Sequence, residues 1–253
     1  MGQKGYIIEL GLIDYGKAWE LQHDLWSKRV AGELPDLLLL LEHPHVITLG
    51  RRGSRSHLLA SAEALEGMRI PIFNVERGGD ITYHGPGQLV CYPILNLKEG
   101  GYSYHRYPKM LESVIIRALS AVGVRAFRER GQAGVWVFAR RQSPALTSWP
   151  QQIDTYIAQI AAIGVKVNQQ DITSHGFAIN VNPNLDYFKH IIPCGIEGCQ
   201  VTSLRQVTGR PITVAEMLEP VIRAFSEIFE MEPVAHDDTA GLEPAMAMER
   251  VLA

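Results

Sequence analysis

Residues 35–50 read PDLLLLLEHPHVITLG. Leu37 to Leu41 is a continuous apolar run with no alternation, and Pro35 and Pro44 bracket it. A run this short, apolar at every position and stopped by proline, reads as a buried strand. Val46 to Arg52 follows as a second strand across the tight His43-Pro44-His45 turn. Upstream, YIIELG (6–11) is predicted as an edge or first strand. Downstream, PIFNVE (71–76), QLVCYPILNL (88–97), GVWVF (134–138), IAAIGVKV (160–167) and FAINVN (177–182) are further strands.

Helical periodicity appears in three places. Asp14 to Leu34 places Ala18, Leu21, Leu25, Trp26 and Val30 on one stripe, and Tyr104 to Val122 does the same with Met110, Leu111, Val114, Ile115, Ala118 and Leu119. Thr213-Val-Ala-Glu216 has the pattern of a capping box, with Ile212 and Met217 placed as its hydrophobic staple and a helix running to about Phe229. Strands and helices mix without strict alternation. The predicted class is therefore α/β (α+β), a mixed sheet covered on one side by helices. Residues 1–230 are expected to form one domain, and 231–253 a loosely held tail. Arg140 to Tyr156, rich in Pro, Ser and Thr, reads as a loop.

Composition narrows the function. Of 253 residues, 46% are hydrophobic and 20% charged, with a net charge of −3, which argues against bulk binding to nucleic acid or membrane. No apolar run reaches the roughly 18 residues of a membrane span. MGQKGYIIELG lacks the charged and apolar regions of a signal peptide, and Tyr6 stands where a myristoylation signal needs Ser or Thr. Three cysteines, Cys91, Cys194 and Cys199, suit a reducing cytosol better than a disulfide framework, so the expected location is the cytoplasm.

Four segments could carry chemistry. RGGDITYHGPGQ (77–88) packs Gly78-Gly79 and Gly85-Pro86-Gly87 around His84, as a cradle where backbone N–H groups approach a ligand closely, or as a Gly/Pro hairpin turn. It matches neither phosphate-binding glycine pattern. In HIIPCGIEGCQVTSL (190–204), Cys194 lies between Pro and Gly, placed either as a nucleophile at a turn or as a small buried hydrophobe. His190, Cys194 and Cys199 lack the fourth ligand and tight pairing of a structural zinc site, so no metal is expected. In TSHGFAIN, Thr173, Ser174 and His175 could supply N–H donors to an oxyanion, or could form a bulged strand with Gly176 at the bend.

RGGDITYHGPGQLVCYPI (77–94), IAAIGVKV, TSHGFAINVNPNLDYF (173–188) and IIPCGIEGCQVTSL (191–204) resemble, in this order, the lipoyl(octanoyl) transferases of lipoate biosynthesis. LGLIDYGKAWELQ (10–22) and LLLLEHPHVITLGRRG (38–53) fit the same pattern, and the resemblance spans roughly residues 5–230. It implies the fold shared with lipoate and biotin protein ligases and a cofactor-free transfer of an octanoyl chain through a thioester on Cys194. The implied donor is octanoyl-acyl carrier protein. The implied acceptors are lipoyl domains of 2-oxoacid dehydrogenases and the glycine cleavage H protein, with the enzyme a monomer. The implied substrate-binding positions are Arg77, Gly78, Gly79, Asp80, Ile81, Thr82, Tyr83 and His84, then Ala162, Ile163 and Gly164, then Gly176, Phe177 and Ala178. On this reading the RGG and GPG glycines leave a slot for the acyl tail, and His84 sits at its reactive end.

One position departs from the family. The family has a lysine five residues before the glycine of AAIG, where this chain has Gln159. Glutamine carries no charge and cannot act as a base, and His84 is the nearest suspect for a replacement. Two rivals remain: an ATP-dependent lipoate or biotin ligase on the same fold, and a non-catalytic acyl- or carrier-binding protein. An acidic carrier protein would need a local basic patch, for which Arg51, Arg52 and Arg55 are the candidates.

Overall fold

The structure, a computed structural model, describes residues 3–140 and 155–234. Its elements are β1 (Gln3–Leu12), α1 (Tyr15–Val30), β2 (Asp36–Glu42), β3 (Val46–Leu49), α2 (Ala62–Gly67), β4 (Ile72–Asn74), β5 (Ile81–His84), β6 (Gln88–Ile94), α3 (Tyr107–Ala121), β7 (Ala126–Phe127), β8 (Val135–Arg140), β9 (Thr155–Val167), β10 (Thr173–Asn180), α4 (Leu204–Thr208), α5 (Val214–Ile228) and β11 (Met231–Pro233).

The leucine run is β2, inside an eight-stranded mixed sheet of order β11-β1-β2-β6-β10-β9-β8-β7. Successive side chains of a strand leave opposite faces, and both faces of β2 are dry. Leu38 and Leu40 pack with Leu111, Val114 and Ile115 of α3 and Val221 and Phe225 of α5. Leu37, Leu39 and Leu41 pack with Ala18, Leu21 and Leu25 of α1. Each buried leucine contributes about 2 kcal/mol of transfer free energy. Helices therefore cover both faces, not one: a strand apolar on both sides needs cover on both.

The helix signals take the form the sequence predicts. Asp14 caps α1 by accepting from the Lys17 amide at 3.2 Å. Thr213 and Glu216 form the capping box of α5, the Thr213 amide donating to Glu216 at 2.7 Å. Ile212 and Met217 are both buried in the core beside it.

Two expectations are corrected. β3 does not extend the main sheet; it pairs with β4 and β5 in a separate three-stranded sheet, order β4-β3-β5, around Ile47, Leu49, Ile81 and Tyr83. The tail expected from 231 begins instead as β11, parallel to β1, with Met231 buried. The expected 140–156 loop lies outside the described residues except at its ends, where Arg140 closes β8 and Thr155 and Tyr156 open β9. The rest of the expected tail, 235–253, also lies outside them. Among the described residues no helix is long and apolar enough to cross a membrane.

Candidate active site

The small sheet faces β9 and β10 across a cavity of about 370 Å³. That is within the usual size of small-molecule sites. The antiparallel register of β9 and β10 sets Gly164 opposite Gly176, Ile163 opposite Phe177 and Ala162 opposite Ala178. Two motifs distant in sequence thus become one stretch of cavity wall. The facing wall is Arg77, Gly79, Asp80, Ile81, Thr82 and His84. Gly164 has its place because the chain of Arg77–Gly78 lies against it: a Cβ there would stand 2.9 Å from Arg77 Cδ and 3.0 Å from the Gly78 carbonyl. The Gly78 amide donates to the Val165 carbonyl at 2.8 Å and fastens the two walls together.

Three of the expected site residues do not line this cavity. Gly78 is turned toward β9. Tyr83 points the other way along β5 and stacks with Tyr187, with its hydroxyl 2.7 Å from His45 Nδ1. Gln159 stands behind the wall, against Cys194. The GPG glycines do not form the expected slot either. A Cβ at Gly85 would fall 1.9 Å from the Tyr83 hydroxyl, and one at Gly87 2.3 Å from Asn182 Oδ1. They are packing glycines.

Cys194 sits on a single 3-10 turn, Pro193–Gly195, with φ of 57°. A left-handed conformation costs a non-glycine residue about 1–2 kcal/mol. Here the Ile192 amide, bonded to the His57 carbonyl at 2.8 Å, and the Gly195 amide, bonded to the Ile192 carbonyl at 2.9 Å, enforce it. The thiol donates to Gln159 Oε1 at 3.6 Å. Gln159 is fixed at both ends: its Nε2 donates to the Ala133 carbonyl at 3.3 Å, and its own amide and carbonyl bond Gln200 and Thr202 at 2.8 and 2.9 Å. Burial pushes the Cys194 thiol pKa up and the Asp80 charge adds to that, while the Arg77 charge pulls it back, leaving it above the ordinary value.

Arg77 is a buried cation held by neutral oxygens. Its Nη2 donates to the Thr48 carbonyl at 2.9 Å and hydroxyl at 2.8 Å, and its Nη1 to the Gly78 carbonyl at 3.0 Å. Its Nε is buried with no partner among the described residues. Burial lowers its pKa, but a guanidinium remains charged in proteins.

His84 is placed with Tyr15, His43 and Gln88. Gln88 Nε2 donates to the Tyr83 carbonyl and to Asn180 Oδ1, so its Oε1 accepts from His84 Nδ1 at 2.9 Å. Burial, reinforced by the neighbouring His43, holds His84 neutral, with its pKa pulled down to about 3. Two of the three donors considered at 173–175 are already used: the Thr173 amide bonds the Leu95 carbonyl at 2.9 Å and the His175 amide bonds Gln22 Oε1 at 2.6 Å. Among the described residues no group of three or more His, Cys, Asp or Glu is arranged to hold a metal ion.

Tyr15, Tyr92 and the 131–133 stretch also line the cavity and were missed. Tyr15 lies in the quoted DYGKAW segment, where a helix-opening aromatic reads only as core.

The family model described as lipoyl protein ligase A/B catalytic domain matches residues 14–226. The octanoyltransferase of Rubrobacter xylanophilus is 44% identical over 219 residues, 86% of this chain and 90% of that protein. The octanoyltransferase of Syntrophobacter fumaroxidans is 40% identical over 232 residues, 92% of this chain and 93% of that protein. Among solved structures, lipoate-protein ligase A bound with ATP aligns with a TM-score of 0.64 at 15% identity, over 100% of this chain and 94% of that one. A bipartite lipoate protein ligase of Thermoplasma acidophilum aligns with a TM-score of 0.64 at 13% identity, over 98% and 91%. At such identities the structural likeness speaks for the fold alone.

Proposed function

The chain belongs to the lipoyl protein ligase A/B catalytic family, among its octanoyltransferases, and from that premise we propose that Cys194 carries the octanoyl group between donor and acceptor. The enzyme is an acyltransferase that moves octanoyl groups for protein lipoylation, from an acyl donor to a lipoyl domain. The donor we infer is octanoyl-acyl carrier protein. The acceptors are lysines on lipoyl domains of 2-oxoacid dehydrogenases and of the glycine cleavage H protein.

The observation that carries this reading is a thiol on a strained turn that lines a cavity together with Ala162, Ile163, Phe177 and Ala178. The apolar wall takes the acyl tail, which brings the thioester carbonyl to Cys194. The thiol loses its proton, the thiolate attacks the carbonyl carbon, and the bond to the donor's sulfur breaks. The donor leaves as a thiol after taking a proton. The lysine amine then attacks the new thioester and frees Cys194. Splitting the transfer in two is the gain from covalent catalysis. Arg77 is the fixed positive charge that favours the thiolate.

The test is incubation with octanoyl-acyl carrier protein and intact-mass measurement of both proteins. Gain of one octanoyl group on Cys194, discharged by a lipoyl domain, supports the reading. An adduct that forms only with ATP and free octanoate belongs to a ligase. Binding of carrier protein with no adduct belongs to a non-catalytic partner, the reading that Gln159 invites.

A further inference from the structure

We propose that His57, oriented by Asp80, is the group that exchanges the proton of Cys194. The inference rests on Cys194 as the nucleophile. The thiol's own hydrogen-bond partner, Gln159, is an amide and cannot take a proton. Arg77 is a cation with no lone pair to offer. His84 also has its Nδ1 engaged, by Gln88, but burial and the neighbouring His43 pull its pKa down to about 3, which makes it a weak base. His175 also lines the cavity, with its Nε2 directed to Glu76 Oε1 at 3.8 Å. The remaining imidazole is His57, which packs with Asp80 against Gly195 of the Cys194 turn.

The pair is built into that turn. His57 Nδ1 lies 3.0 Å from Asp80 Oδ1. A Cβ at Gly195 would stand 2.7 Å from Asp80 Oδ2 and 3.0 Å from His57 Cε1, so the ring edge and the carboxylate both rest on the residue after the nucleophile. Gly195 has a φ of 70° and leaves them room. The backbones are laced together as well: the His57 carbonyl accepts from Ile192, and Leu58 bridges Ile191.

Asp80 fixes the tautomer. Its Oδ1 also accepts from the Ile81 amide at 2.7 Å and the Ser54 amide at 3.4 Å. Against the upward push of burial, the His57 hydrogen bond and these amides hold the Asp80 carboxyl below its ordinary value. An ionised Asp80 accepts only, so His57 Nδ1 carries the hydrogen and Nε2 carries the lone pair. No hydrogen bond occupies Nε2 among the described residues, and the His57 side chain is 27% exposed to solvent, beside Asp80 and Gly195, which line the cavity. The charged groups around it are Asp80, just before β5, and Arg55 on its own turn, with Arg77 on the same cavity wall as Asp80. His190 offers its carbonyl to Leu59 and Ala60 nearby. Nucleophile, imidazole and carboxylate then have the roles of a catalytic triad on an unrelated fold. In the first half-reaction the Sγ proton moves to Nε2 and from there to the departing thiol of the donor. In the second, Nε2 takes the proton of the attacking amine and returns it to Sγ.

The experiment is single-turnover acylation of Cys194 by octanoyl-pantetheine, followed by intact mass across pH. Wild type is compared with His57→Gln, which can keep the bond to Asp80, with His57→Ala with and without imidazole, and with Asp80→Asn. The expected result is acylation slowed about 10²-fold in His57→Gln, with a changed pH profile, and recovered in His57→Ala by imidazole. Asp80→Asn should slow acylation while leaving iodoacetamide alkylation of Cys194 as fast as or faster than in wild type, because it removes a charge that opposes the thiolate. His57→Gln acylating within about threefold of wild type with the same profile overturns the proposal. Slowing without imidazole rescue or a profile change also overturns it, since that marks a structural role. A wild-type protein that takes no acyl group fails earlier, at Cys194 itself, and removes this inference with it.

Discussion

Gln159 holds its Oε1 3.6 Å from the Sγ of Cys194 while its Nε2 is tied to the Ala133 carbonyl. The tie decides the sense of the contact: the amide oxygen faces the sulfur, so the thiol donates. A thiol that donates to a neutral amide inside a partly buried turn gains no charge assistance from that partner. The cation that favours its ionisation is Arg77.

Gln159→Lys should therefore raise the rate of thioester formation. An ammonium at this position favours thiolate over thiol and can pass a proton to the reacting groups, an effect worth roughly 10²–10⁴ in rate. Acyl-chain affinity should change little, since the apolar wall comes from other residues. The pH profile of Cys194 alkylation is the check: the lysine form should level off at lower pH than wild type. Coinciding profiles would show that position 159 does not govern the thiol.

Cys194→Ser should abolish the octanoyl adduct and keep the fold, because the hydroxyl can still donate to Gln159. Cys91→Ser and Cys199→Ser should retain most activity. Cys91 is fully buried in β6. Burial pushes the Cys199 thiol up to about 12, with the neighbouring Cys194 adding to the shift, so it is a poor nucleophile. Intact mass with each variant decides, and a Cys199→Ser as inactive as Cys194→Ser would reassign the nucleophile.

The sequence marks segments better than it marks neighbours. Leu37–Leu41 announces a buried strand, but the face to which α1 turns Ala18, Leu21 and Leu25 is set by the packing of distant elements, so the second helical layer was missed. β3, β4 and β5 are three or four residues long, and no period tells which sheet such strands join. The site motifs at 77–84, 162–164 and 176–178 are visible one by one, and only the β9–β10 register makes them a cavity. His57 lies in a serine- and arginine-rich stretch that reads as exposed loop, and its meeting with Asp80 is a contact between residues 23 apart. The GPG glycines misled because glycine serves close packing and ligand approach by the same lack of a Cβ.

Arg51 and Arg52, both exposed, are the proposed contact for an acidic carrier protein, and Arg52 lines the cavity itself. Charge reversal of both should raise KM for octanoyl-acyl carrier protein and flatten its dependence on ionic strength. The rate with octanoyl-pantetheine, which carries no protein surface, should fall far less. Unchanged KM and salt dependence would place the carrier elsewhere.

Acid should destabilise the fold well before the carboxylates titrate. Burial holds His43 neutral with its pKa lowered to about 4, burial and the neighbouring His43 charge hold His84 at about 3, and burial lowers His175. In the unfolded chain each takes up a proton near pH 6.5. Between that pH and the folded values the unfolded state binds more protons, so stability rises with pH there. The contribution is complete above about pH 6.5 and is lost as pH falls toward 4 and 3, at about 1.4 kcal/mol per pH unit for each fully buried histidine. Glu76 does not share this window. The His175 contact holds it down to about 2, so its contribution is lost only below the unfolded carboxyl range. The rings of His43 and His84 are 5.8 Å apart, and a proton on one opposes a proton on the other. The urea midpoint should thus be flat above pH 7 and fall steadily from pH 6 to pH 5. His43→Gln should shallow that fall by removing one of the titrating groups, although it costs stability at every pH through the bonds to the Ile13 carbonyl and the Tyr92 hydroxyl. A midpoint constant from pH 7 to pH 5 would mean that these histidines are protonated in the folded state.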